Sequence, residues 1–139
     1  MAFNESCIFC KIVQGQAPSS ILYEDETVLA FLDIRPLNMG HTLVIPKKHY
    51  VDIFDIPVQE LANVHQIAKK ISFAVSKATN ADGISIIQQN GQAAGQDIFH
   101  LHVHVVPRFE GQKLPRFSEL KMVERDKLEE MAQKIRSQF

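Results

Sequence analysis

The chain has 139 residues, 45% of them apolar and 22% charged, with 15 basic against 16 acidic side chains and a net charge of −1. That size suits one domain over residues 1–139 with a core of its own, and the composition excludes intrinsic disorder and a fibrous repeat. A near-zero charge excludes a field strong enough to gather nucleic acid or an anionic membrane, and no apolar run approaches the ~20 residues of a spanning helix. A soluble protein without a signal peptide, in the reducing cytoplasm, is expected.

Ser6 is placed to cap a short helix through "CIFCKIVQG", with Gly15 as its stop. "ILYED" and "TVLAFLDI" follow as two strands rich in β-branched and aromatic residues, joined as a hairpin by an acidic turn. "RPLNMG" breaks the chain before a third strand, "HTLVIP", closed by Pro46, which has no amide hydrogen to donate. Pro57 opens the first turn of a helix to about Lys77, on which Leu61, Val64, Ala68, Ile71 and Val75 recur at helical steps and define a core-facing stripe. "GISIIQQ" reads as a fourth strand, "NGQAAGQD" as a glycine-punctuated loop and "FHLHVHVVP" as a fifth strand ended by Pro107. A charged amphipathic helix is predicted over about 118–138, with Leu120, Val123, Leu128, Met131 and Ile135 on its apolar side. Strands and helices do not alternate regularly, so the class is α+β: a five-stranded antiparallel sheet with two main helices.

On a strand, residues two apart lie about 6.6 Å apart on one face. His100, His102 and His104 therefore form a row, with Leu101, Val103 and Val105 packing beneath. The outer pair are then about 13 Å apart, which argues against one ion held by all three at ~2.0 Å. Imidazoles repeated on a strand face give up propensity and packing, and that cost points to chemistry. One imidazole can act as a nucleophile near neutral pH while a neighbour orients it. The glycines and amides of the loop before the row suit an anionic phosphorus centre. Cys7 and Cys10, three apart, suit a metal or redox site better than a secreted disulfide framework. His65, near the apolar stripe of its helix, is expected to be structural or exposed.

"HLHVHVV" matches the pattern His-φ-His-φ-His-φ-φ, with φ apolar, and is preceded by "CIFCKI", "AFLDIRP", "GHTLVIPKKHY" and "AGQDIF". In that order the segments resemble the histidine triad (HIT) superfamily, and within it the Hint-like nucleotide hydrolases. The resemblance covers the chain up to Arg108, while the C-terminal helix carries little of it. It implies a HIT fold, a homodimer, and an adenosine phosphoramidase-like hydrolase that needs no cofactor for its chemistry. Such an enzyme cleaves nucleoside phosphoramidates or related nucleotides at the α-phosphate through a covalent nucleotidyl-histidine and releases a nucleoside monophosphate. The expected ligand is a purine nucleotide of AMP type.

The resemblance implies His102 as nucleophile and His104 as phosphate ligand, with His100 and His41 bracing the row. Asp33 is implied as acceptor for the ribose hydroxyls, and Ile8, Phe9, Ile12 and Phe31 as the slot around the base. Gln89, Gln96 and Asp97 are implied as further nucleotide-contacting positions. A structural zinc on Cys7, Cys10, His49 and His100 is also expected, as in certain HIT relatives. Two positions depart from the Hint-like pattern. Gln89 stands where those members usually have asparagine and the diadenosine-polyphosphate-cleaving branch has glutamine; Asp97 stands where serine or threonine is frequent. Dinucleoside polyphosphate hydrolysis, and nucleotide binding or scaffolding with incidental hydrolysis, therefore stay open beside the first reading.

Overall fold

In the computed structural model, which describes residues 3–139, the sheet runs β1 (Ile21–Glu24), β2 (Val28–Leu32), β3 (Thr42–Pro46), β5 (Val103–Arg108), β4 (Gly83–Gln88), every neighbouring pair antiparallel. Helices α1 (Ile8–Val13), α2 (Val58–Thr79) and α3 (Arg125–Arg136) complete the α+β fold. Period-two alternation decides what each face meets. Val28, Ala30, Leu32, Val44, Val103 and Val105 point to one side, against Val64, Ala68, Ile71 and Val75 of α2 and Leu128 and Ile135 of α3. Leu29, Phe31, Leu43 and Ile45 point to the other, against Phe9, Cys10 and Ile12 of α1. With both faces covered, β2 and β3 are buried at every position. No helix among the described residues is long and apolar enough to cross a membrane.

Four boundaries differ from the sequence expectation, each for a local reason. Cys7 caps α1 in place of Ser6: its Sγ accepts from the Cys10 amide at 3.4 Å, while the Ser6 hydroxyl is held by Asn4. Pro57 sits at the N-cap of α2, one residue before the first turn, and the helix continues to Thr79 before Asn80 turns left-handed at φ 55°. Strand β5 starts only at Val103, because the Leu101 amide is taken by the Tyr50 carbonyl at 2.7 Å; His100 and His102 thus precede the ladder. Pro107 lies inside β5, since the ladder to β3 has already ended at the Thr42–Val105 pair and no bond on that side needs its missing hydrogen. The C-terminal helix is likewise two pieces, a single 3-10 turn at Phe117–Glu119 and α3, with an extended stretch between them whose Val123 amide donates to the Ile34 carbonyl at 2.9 Å.

Candidate functional site

Strand register brings Ile21, Phe31, Leu43 and His104 into one line across β1, β2, β3 and β5. At about 4.8 Å per strand the line is some 14 Å long. Helix α1 lies over it, and Ile8, Phe9 and Ile12 form the opposite wall of a cleft of about 430 Å³, a volume suited to a small organic ligand. Phe9 stands edge-on to Phe31 with ring centres 5.5 Å apart, and edge-on to His102 at 5.2 Å. Asp33, Asp97, His102 and His104 also line this cleft.

Backbone groups fix which nitrogen of each imidazole carries its hydrogen. His41 Nδ1 accepts from the Leu37 amide at 3.0 Å, so Nε2 holds the hydrogen and donates it to His104 Nδ1 at 2.9 Å. His104 is left with its N–H on Nε2. His102 is set the other way: its Nδ1 meets the His100 carbonyl at 2.8 Å, an oxygen that only accepts, which leaves Nε2 with the lone pair. That Nε2 lies 3.8 Å from Asp97 Oδ1. Burial holds all three rings neutral, with His41 pushed down to about 3, His104 to about 4 and His102 below the usual histidine value. With ring centres 4.9 Å apart, His102 and His104 set a bare nitrogen beside an N–H donor, the pair needed to attack a phosphorus and to hold one of its oxygens.

Asp33 follows the end of β2. Its amide donates to the His41 carbonyl at 2.9 Å and its Oδ1 accepts from the Arg35 amide at the same distance. Burial above all, then the neighbouring Asp97, pushes its carboxyl up to about 6. Asp33 Oδ2 is 3.6 Å from His41 Nε2, but His41 has both nitrogens committed, to the Leu37 amide and to His104, which leaves no free lone pair on it for a cation.

Gln89 and Gln96 do not line the cleft. Buried Gln96 braces the loop instead: it accepts from the Gly91 amide at 2.7 Å and donates to the carbonyls of Val51 and Ile98 at 2.6 and 3.1 Å. The Gln89 amide packs so closely on Gly95 that a Cβ there would come within 2.6 Å of it, and Gly95 also needs its φ of +95°. Ten cleft residues are not singled out by the sequence, Arg35, Leu120 and Arg125 among them. Leu120 was placed on a helix face, and Arg125 bore no signal that set it apart from other surface cations.

Behind His102, the donor atoms of Cys7, Cys10, His49 and His100 all lie within 4.8 Å of one another. Tetrahedral zinc with bonds of about 2.3 Å to sulfur and 2.0 Å to nitrogen sets neighbouring S and N roughly 3.5 Å apart. The observed separations are 3.4 Å for Cys7–His100, 3.4 Å for Cys10–His49 and 3.6 Å for Cys10–His100. His100 Nε2 donates to the Pro46 carbonyl at 2.8 Å, which leaves Nδ1 unprotonated and turned to the sulfurs. Geometry and donor chemistry both fit zinc.

The HIT domain family model matches residues 14–111. An uncharacterised HIT-like protein of Methanocaldococcus jannaschii is 48% identical over 123 residues, 88% of this chain and 95% of that protein. Adenylylsulfatase HINT3 of Arabidopsis thaliana is 45% identical over 107 residues, 77% of this chain and 54% of its own length. Among solved structures, a Hit-like protein from Bartonella henselae, described as involved in cell-cycle regulation, is 41% identical and matches 99% of this chain and 100% of its own with a TM-score of 0.90. A zinc-bound histidine triad family protein from Mycobacterium smegmatis, 44% identical, matches 95% and 91% with a TM-score of 0.85. A histidine motif, a sheet topology and a sequence match that all agree leave one conclusion: the chain belongs to the HIT family of nucleotide-binding proteins, typically hydrolases.

Proposed function

We propose that the protein hydrolyses nucleoside phosphoramidates or related purine nucleotides of AMP type at the α-phosphorus. His102 Nε2 forms a bond to phosphorus as the bond to the leaving nitrogen breaks, and the leaving amine takes a proton from solvent water. Water then attacks the phosphorus, the Nε2–P bond breaks, and a nucleoside monophosphate departs with His102 restored. His102 is the nucleophile because the His100 carbonyl holds its hydrogen on the remote nitrogen, the observation that carries this reading. His104, oriented by His41, donates its Nε2 hydrogen to a non-bridging oxygen; Asp33 accepts from the ribose hydroxyls; Ile8, Phe9, Ile12 and Phe31 enclose the base. Mass analysis after a brief quench with adenosine 5′-phosphoramidate should find protein heavier by one nucleoside monophosphate less one water. Turnover without any such adduct would overturn the covalent route.

The placement of Asp97 supports an amine leaving group over an anionic one. Its exposed carboxylate is 3.8 Å from the attacking nitrogen, where it disfavours polyphosphate or sulfate and tolerates a neutral or cationic amine. Gln89, which favoured dinucleoside polyphosphates, has its amide against Gly95 and is not among the residues lining the cleft. Asp97→Ser is expected to raise kcat/KM for diadenosine polyphosphate and adenosine phosphosulfate by about 5-fold relative to the phosphoramidate, as one screened charge repulsion of ~1 kcal/mol requires. An unchanged ratio and pH profile in steady-state kinetics would reduce Asp97 to a solvated loop residue.

The proposal includes a structural zinc on Cys7, Cys10, His49 and His100, which is a closed ligand set and supplies no step of the hydrolysis. It requires both cysteines reduced, which supports a reducing compartment such as the cytoplasm. A second copy of the chain is proposed to pair along β4. That strand forms an edge of the sheet, and Phe73 of α2 and Ile86 of β4 stay exposed beside it. Light scattering should give twice the chain mass for the native protein and the single mass for Ile86→Lys; a native monomer would end the pairing proposal.

A further inference from the structure

Residues 112–139 lie beyond the matched HIT domain, yet Leu120 and Arg125 line the cleft. Several hydrogen bonds hold this segment in place, and two of them lie beside the cleft. The Val123 amide is fixed to the Ile34 carbonyl, and Arg125 Nη1 donates to Ser20 Oγ at 3.1 Å. Ser20 is fully buried and precedes Ile21, the β1 end of the line that begins at His104 on β5. From His104 the line passes Leu43 and the base slot at Phe31, with Asp33 two residues on from Phe31 at the end of β2, and ends at Ile21 beside Ser20 and Arg125.

On the reading of the cleft as a nucleotide site, we infer that Arg125 recognises the outer edge of the base and selects a 6-oxopurine, guanine above all, over adenine. A guanidinium carries five N–H donors and no acceptor. One is spent on Ser20, and the neighbouring Glu129 has one carboxylate oxygen on Arg136 at 2.6 Å and neutralises part of the Arg125 charge without a hydrogen bond to it. Arg125 is exposed, so the donors that remain are met by water in the free protein and by a ligand's acceptors when the cleft is filled. Guanine offers N7 and O6 side by side, which the planar fork meets with two parallel bonds, whereas adenine sets its own amino donor beside N7. A pyrimidine is too short to span the slot to Arg125 and should bind more weakly than either purine.

Calorimetric titration with GMP and AMP tests this without requiring turnover. Wild type should bind GMP about 10-fold more tightly, the low end of discrimination by a bidentate arginine. Arg125→Leu should weaken GMP by that factor and leave the two ligands within about 2-fold of each other. Arg125→Lys, which keeps the charge and loses the fork, should restore only part of the difference. Thermal melts of both variants check that α3 stays docked. Equal affinities in wild type, or a preference that Arg125→Leu leaves intact, would overturn the inference while leaving hydrolysis standing. Binding with the predicted preference but no cleavage of either nucleoside phosphoramidate would instead sink the proposed hydrolysis and leave base recognition standing.

Discussion

His102→Ala is expected to fold normally and to lose about 10⁴-fold or more in kcat for adenosine 5′-phosphoramidate, a loss typical of removing a covalent nucleophile. The side chain lines the cleft and packs edge-on to Phe9, so its truncation chiefly enlarges the cleft. What the fold loses is one hydrogen bond to the His100 carbonyl, worth about 1 kcal/mol, and that oxygen can then be reached by water from the cleft. His104→Ala should behave differently. It removes an N–H donor to phosphate and the acceptor for His41, costs about 10²-fold to 10³-fold in kcat, and still allows the covalent adduct to form on His102. Single-turnover kinetics combined with mass analysis separate the two variants. If His102→Ala retained activity within about 10-fold of wild type, the nucleophile would lie elsewhere, whatever the tautomer of His102.

Period-two alternation made most of the sheet legible before any coordinates. Val28, Ala30 and Leu32 against Leu29 and Phe31 is a pattern that any strand covered on both faces must show. The histidine row was legible as chemistry but its backbone was not. Spacing alone extends the strand back to Phe99, and nothing local reveals that the Leu101 amide pairs with Tyr50, fifty-one residues away in sequence. The same limit explains the C-terminal segment. Leu120 and Val123 recur at helical spacing, yet one lines a cleft and the other has its amide bound to Ile34, partners that periodicity cannot name. Gln96 has no sequence signal for its part in bracing the loop, because its three partners are backbone groups of Gly91, Val51 and Ile98. His49 entered the metal set through donor chemistry, and the structure brings it to Cys10 across thirty-nine positions.

Removal of zinc is the second large effect, and it should appear in stability before activity. Helix α1 has only six residues, too few to hold itself in water, so it depends on its apolar contacts and on Cys7 and Cys10. Native protein prepared without chelators should contain one zinc per chain, and Cys7→Ser combined with Cys10→Ser should contain none. Chelation of the native protein should lower Tm by about 10 °C, a loss of roughly 3 kcal/mol for a chain of this length. That is less than the ~10–16 kcal/mol of small zinc peptides, because the core between the sheet, α2 and α3 persists without the ion. Since α1 carries Ile8, Phe9 and Ile12 over the cleft, KM should rise with chelation more than kcat falls. His100 adds a smaller effect on kcat, as its ring belongs to the proposed zinc set and its carbonyl fixes the tautomer of His102. Acid should reproduce the chelator, because the ligands bind zinc only when deprotonated and affinity falls as pH drops below the histidine range. Less than 0.1 equivalent of zinc by elemental analysis, with a Tm indifferent to chelator, would leave four close-packed donors with a purely structural role.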